Sequence, residues 1–240
     1  ANTSPASEIA TKNTAANYDD YAALNKFAAS VDVITSEFEN VPSQTMAYLA
    51  RFCPVSPGTT ALHIAQHRVR EKNFARQHGI LTPDFWHVTD SSSLHHAMAE
   101  LQGRGVLKTC QLGYDGQGQI WIDPSDDLNT SFAALGSDDA ILEAAVDFAA
   151  EVSFLIARTA DGRVAHFPAS LNTHKDGILR RSVAPAEIGE QLVTSGREAV
   201  QTLAEAMELV GLLALETFVT KNGTILFNEI APRPHNSFHW

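Results

Sequence analysis

Two glutamates near the end of the chain, Glu216 and Glu229, flank a turn made by Lys221, Asn222 and Gly223. The apolar run at 212–219 and the shorter run at 224–227 read as the two strands of a hairpin, which brings the two carboxylates together. Carboxylates converging in an apolar setting repel, and each is driven towards protonation unless a cation lies between them. Mg²⁺ suits that role, because it takes hard oxygen ligands, commonly one or two carboxylates plus phosphate oxygens and water. Asn228 adds a possible amide oxygen. The same pattern also fits an ordinary half-buried hairpin with alternating polar positions. The segment that follows crowds Arg233, His235, Asn236, Ser237 and His239 among two prolines and a terminal Trp240, a poor helix and an equally poor strand. A loop that polar beside two acidic strand residues suggests an anion site next to a metal.

Upstream, Lys108 sits in the apolar stretch 105–109, read as a strand, and a lysine so placed is uncommon unless its ammonium meets an anion or a carboxylate. GYDGQGQ follows, with Gly113, Gly116 and Gly118. Such glycines let the backbone approach a ligand and aim amides at phosphate oxygens, although Asp-Gly at a flexible hairpin tip is an equal reading. It is not a Walker A loop, since GK[ST] is missing. Glu37 and Glu39, in TSEFENVP, follow a predicted parallel strand, where α/β sheets bind ligands; a solvated acidic loop fits as well. Taken alone, Arg68 reads as a surface cation, Glu143 and Glu151 as solvated strand ends, and His174 as a solvated loop histidine.

The elements that must position these residues alternate. Helices are predicted at 18–29 and at 43–51, the latter with Ser43 as N-cap, around a strand at 31–35. That order predicts a parallel α/β unit. Residues 55–58 read as a proline-bracketed linker, which divides the chain into 1–57 and 58–240. Helices follow at 59–67, 68–78 and 91–101, with Gly79 as a stop signal and Thr82-Pro83 opening a strand. Further strands are expected at 140–143, 152–158, 164–167 and 178–183, and a core-facing amphipathic helix at 186–210.

Composition excludes other classes. With 17 Lys and Arg against 28 Asp and Glu, the net charge of −11 disfavours nucleic-acid partners and anionic membranes, and no apolar run is long enough to cross a bilayer. Only Cys53 and Cys110 are present, far apart, which argues against a disulfide framework and against a structural zinc site and favours a reducing, cytoplasmic setting. No signal peptide is legible at the N-terminus.

The motifs NEIAPRPHNS with HW, GYDG, EFENVP and NTHKDGIL together resemble the ATP-grasp carboxylate-amine ligases, and among them the 5-(carboxyamino)imidazole ribonucleotide synthase family. The resemblance spans 31–240. It implies an α/β fold of the α+β ATP-grasp type, in which a partial N-terminal parallel α/β domain at 1–57 precedes an ATP-grasp domain at 58–240. It implies ATP as co-substrate and Mg²⁺, or Mn²⁺, held by Glu216 and Glu229. Arg68, Lys108 and Asn228 would serve the phosphates, while Glu143 and Val146 would hold adenine and Glu151 the ribose. Tyr114, Asp115, Gly116, Gln117, His174 and Glu37 would face the ribonucleotide, and Arg233, His235 and Asn236 the bicarbonate. The implied reaction is ATP-dependent carboxylation of 5-aminoimidazole ribonucleotide through carboxyphosphate, in purine biosynthesis, by a homodimer. Five positions depart from the family pattern: His67 for Asp, Cys110 and Gln111 for commonly basic or small residues, Gln117 for a basic residue and Phe238 for Gly. The family's glycine-rich first strand and its small C-terminal domain are not in the sequence, so a piece truncated at both ends is expected. Two rival readings are a formate-using glycinamide ribonucleotide transformylase and a non-catalytic nucleotide-binding module.

Overall fold

The structure is a computed structural model that describes residues 5–113, 118–175 and 177–239. Two short helices, α1 (Pro5–Ile9) and α2 (Tyr21–Ala28), open the chain, and Asp20 caps α2 by accepting from the Ala23 amide at 3.0 Å. Strand β1 (Ile34–Thr35), helix α3 (Ser43–Leu49) and strand β2 (Val55–Ser56) follow. The two strands pair in parallel, Ile34 against Val55, as the strand-helix-strand order predicts. Part of the expected linker is therefore sheet, and Pro42 occupies the N-cap position expected of Ser43, with no side-chain cap. A small core of Leu24, Ile34, Met46, Leu49 and Leu62 holds this unit.

Helices α4 (Thr59–Ala65) and α5 (Arg68–Gln77) lead into a four-stranded antiparallel sheet. Its members are β3 (Phe85–Val88), β4 (Gly105–Thr109), β5 (Gln119–Ile122) and β6 (Ala140–Ala144), in the order β3-β6-β4-β5. Helices α6 (Ser91–Leu101) and α7 (Leu128–Leu135) cover one face, and Leu94, Leu107, Ile122 and Leu142 pack there. Because side chains alternate along a strand, Val106, Lys108, Ile141 and Glu143 are left on the other face.

A three-residue connection at 145–147 leads to the second antiparallel sheet. Strands β7 (Phe148–Arg158), β8 (Val164–His166), β9 (Ser170–Lys175), β10 (Ile178–Val183), β11 (Gly211–Thr220) and β12 (Ile225–Ala231) form it in the order β10-β9-β7-β11-β12, with β8 on β7. Helix α8 (Glu190–Ala206) lies on its apolar face, against Val152, Phe154, Ile156, Leu213 and Leu215. Contact there is close enough that a Cβ at Gly196 would stand 2.1 Å from the Phe154 ring, so only glycine fits.

His174 is not in a loop. SLNTHK is strand β9, and its polar residues Ser170, Asn172 and His174 alternate towards one face. That polarity suggested a loop because a buried polar strand face has no hydrophobic signature.

Candidate active site

The polar face of the six-stranded sheet carries the chemistry. Register places Glu151 against Asn172, Ser153 against Glu216, and Glu216 against Glu229, so these residues and His174 share one face. The expected convergence of Glu216 and Glu229 is a direct cross-strand pairing. Between Glu216 and Thr217 the register shifts, because Glu216 opposes Glu229 while Thr217 opposes Phe227. Asn228 is the extra residue of this bulge, and a bulge re-aims side chains, so strict alternation no longer commits Asn228 to the face opposite Glu229.

Each carboxylate has a nitrogen partner. His235 Nε2 lies 3.1 Å from Glu216 Oε1, and Arg68 Nη1 donates to Glu229 Oε2 at 3.0 Å. Arg68 also donates to the Gly113 carbonyl, where the glycine-rich segment begins. Burial works to raise the Glu229 pKa, but the Arg68 guanidinium, with Lys108 and His235 behind it, holds it below the usual carboxylate range. Two opposed carboxylates on one face of the sheet are a hard-oxygen donor pair that fits Mg²⁺.

Lys108 projects from β4 and donates to Glu143 Oε2 at 3.0 Å. The carboxylate of Glu143, expected at an exposed edge facing adenine, is instead buried and shared with Lys72, whose Nζ is 3.4 Å away. Its Oε1 is buried and has no hydrogen-bond partner. Burial works to raise its pKa, but Lys108, Lys72 and Arg68 outweigh that and bring it to about 2.

Glu71 and Lys72, adjacent on α5, were missed by the sequence reading, and both are buried. They satisfy the outer backbone edge of β12: the Ile230 amide donates to Glu71 Oε2, and Lys72 Nζ donates to the Asn228 carbonyl at 2.7 Å. A bare edge strand would leave these groups unpaired. Burial pushes Glu71 up to about 8, against the pull of Lys72 and Arg68. The available signal was a Glu-Lys pair inside a helix that packs without an amphipathic stripe.

Remaining candidates divide. His174 Nδ1 lies 2.8 Å from Glu151 Oε2, and this hydrogen bond raises its pKa. Arg233 pairs with Glu39 at 2.9 Å, which joins the N-terminal unit to the site. Glu39, rather than the exposed Glu37, is thus the acidic residue of that loop that reaches inwards. Its own pKa is raised, chiefly by burial. His235 is buried, and its Nδ1 contacts the Ser237 hydroxyl, which continues into a network through Ser153, Asn172 and Ser182. Asn236 is exposed on the turn Asn236–Phe238, and Val146 is half-buried in the connection between the two sheets. Phe238, which stands where the family pattern has glycine, packs against the patch of Leu155, Ala214 and Ala231 beside Phe167. Tyr114, Asp115, Gly116 and Gln117 lie outside the described residues.

Comparison with known proteins matches this architecture. A family described as the ATP-grasp domain matches residues 73–240, and one described as the ribonucleotide synthetase preATP-grasp domain matches residues 1–66. The chain is 46% identical over 238 residues to an N5-carboxyaminoimidazole ribonucleotide synthase of Brucella melitensis, covering 98% of this chain and 66% of the relative. It is 35% identical to the Bacillus subtilis protein of the same name, covering 99% and 62%. A solved ADP complex of an N5-carboxyaminoimidazole ribonucleotide synthetase superposes with a TM-score of 0.94 at 36% identity, covering all of this chain and 63% of that one. The Staphylococcus aureus synthetase with ADP gives 0.91 at 31% identity, covering 97% and 62%. The chain thus spans a little under two thirds of the length of these relatives.

Proposed function

We infer, since this chain belongs to the ATP-grasp family, that it carries the nucleotide and metal machinery of an ATP-dependent ligase that carboxylates 5-aminoimidazole ribonucleotide with bicarbonate. The observation that carries this reading is the cross-strand pair Glu216 and Glu229, flanked by Arg68 and His235 and within electrostatic reach of Lys108.

Glu216 and Glu229, helped by Asn228, would hold Mg²⁺, which when bound neutralises charge on the ATP phosphates. Arg68 and Lys108 supply fixed cations for those phosphates, and Glu143 serves as the positioning partner that keeps Lys108 on its line. The adenine base fits the connection around Val146 between the two sheets, and the ribose hydroxyls fit Glu151. Phosphoryl transfer asks the protein mainly for positioning and charge neutralisation, and these residues provide both. Bicarbonate oxygen would attack the γ-phosphoryl group and displace ADP to give carboxyphosphate, whose carboxyl group the amine of the ribonucleotide captures with loss of a proton and release of inorganic phosphate. Arg233 and His235 face the anion, with Asn236 at the rim. His174 faces the ribonucleotide, and the part given to Tyr114, Asp115, Gly116 and Gln117 in binding it rests on the family resemblance of GYDG alone. Glu37 is left without a role, and Glu39 instead fixes Arg233. A cytoplasmic homodimer completes the proposal.

The test is phosphate release from ATP with Mg²⁺ and bicarbonate, with and without the aminoimidazole ribonucleotide. Release that rises with the ribonucleotide and is abolished by Glu229→Gln is expected; unchanged turnover in that variant would overturn the metal assignment. ATP that raises the melting temperature without ribonucleotide-dependent release would favour a nucleotide-binding module instead.

A further inference from the structure

Four side chains meet at one end of the four-stranded sheet, away from the paired glutamates. His67 precedes α5, His87 lies on β3, Cys110 follows β4 and Asp139 precedes β6. Their ligating atoms all lie within 4.8 Å of one another. His67 Nε2 is 3.2 Å from Asp139 Oδ2, His87 Nε2 is 2.9 Å from Asp139 Oδ1, and the Cys110 thiol hydrogen-bonds the same carboxylate. We propose that His67, His87, Cys110 and Asp139 form a binding site for a divalent transition metal of the zinc class.

The donor set argues for that ion. Two imidazoles, a thiolate and a carboxylate make a four-ligand set that suits Zn²⁺, whereas Mg²⁺ and Ca²⁺ prefer oxygen alone. Bonds of about 2.0–2.3 Å to a tetrahedral zinc separate neighbouring ligand atoms by roughly 3.3–3.8 Å, so the cluster need adjust only slightly. Charge also balances. Asp139 already faces both imidazoles and the thiol in the metal-free chain. On binding, the S–H proton leaves to solvent, a metal–sulfur bond forms, and two neutral imidazoles donate their lone pairs. The dication, thiolate and carboxylate then sum to zero. The spacing of two isolated cysteines argued against structural zinc, but the fold draws the four ligands from four separate segments.

The site would bear on the nucleotide. Arg68 follows His67 directly, and its backbone amide donates to the Cys110 carbonyl at 3.0 Å. An occupied site would tie the start of α5, and with it the Arg68 side chain, to the sheet that carries Lys108.

The experiment titrates the metal-free chain with Zn²⁺ against a chromophoric chelator, and in parallel with Co²⁺. One ion per chain is expected, with a thiolate-to-cobalt charge-transfer band and visible bands of tetrahedral intensity. His87→Ala, at an exposed position, and Cys110→Ser should each weaken binding at least about tenfold, and Cys110→Ser should remove the charge-transfer band. Circular dichroism checks that both variants fold, and Glu216→Gln should leave zinc affinity unchanged. No stoichiometric binding, a cobalt spectrum without the sulfur band, or equal affinity in folded His87→Ala would overturn the proposal. None of these readouts depends on turnover, so they separate this site from the catalytic reading.

Discussion

Replacing Lys72 by Met tests whether the buried charges around α5 hold the site together. Lys72 is fully buried, with its ammonium 2.7 Å from the Asn228 carbonyl and 3.4 Å from Glu143 Oε2. Methionine matches the stem and preserves contact with Phe227, so the packing loss is small and the electrostatic loss is isolated. Removing one partner of a buried ion pair costs about 3–5 kcal/mol, because the other charge stays buried. Here Glu143 retains Lys108 at 3.0 Å, and the variant no longer pays to bury an ammonium, so the lower end, about 3 kcal/mol, is expected. The pH dependence adds a second readout. Glu143 is held at about 2, so its pairing contributes stability above its unfolded value, lost as pH falls through the folded one. With one cation fewer, its folded pKa rises towards the ordinary range, and the gap between wild type and variant should narrow below pH ~4.5. Urea unfolding midpoints at neutral and acid pH measure both effects. The exposed pair of Lys221 and Asp147 is shorter, at 2.6 Å, yet Lys221→Met should leave the midpoint unmoved, since water screens it. A Lys72→Met cost below about 1 kcal/mol, or a gap that widens in acid, would refute the reasoning.

Further outcomes are expected. Gly196→Ala would ordinarily stabilise a helix by about 1 kcal/mol, but the added Cβ meets the Phe154 ring at 2.1 Å, so a net loss of about 1–3 kcal/mol is expected in thermal unfolding. The His174 ring should titrate above its ordinary value by NMR, and Glu151→Gln should lower it. Its folded pKa is raised, so the pair's stability is fully present below the unfolded value of about 6.5 and lost as pH rises through the folded one. The wild-type advantage over Glu151→Gln should therefore shrink in alkaline buffer. Arg233→Met leaves the inward-facing Glu39 without its cation. It should cost about 1–3 kcal/mol of stability, measured by urea unfolding.

Much of this was legible in sequence. The hairpin that pairs Glu216 with Glu229 follows from two apolar runs around an Asn-Gly turn, both local signals. Lys108 in an apolar strand announced a buried partner, and the α/β order of 31–56 announced parallel pairing. The motif wording pointed to the ATP-grasp family, and the family match bears that out. What the sequence withheld depends on distance along the chain. Glu143 could not be read as the partner of Lys72 and Lys108, because its neighbours come from α5 and β4 rather than from its own strand. Glu71 and Lys72 carry no local sign of burial, because the backbone groups they satisfy lie on the edge of β12, far along the chain. Likewise β9 was hidden, because a polar strand is stable only when another polar surface faces it. Local pattern fixes which groups alternate and where the chain turns. Which charge meets which is decided by tertiary packing, since burial makes an unpaired charge too costly to leave alone.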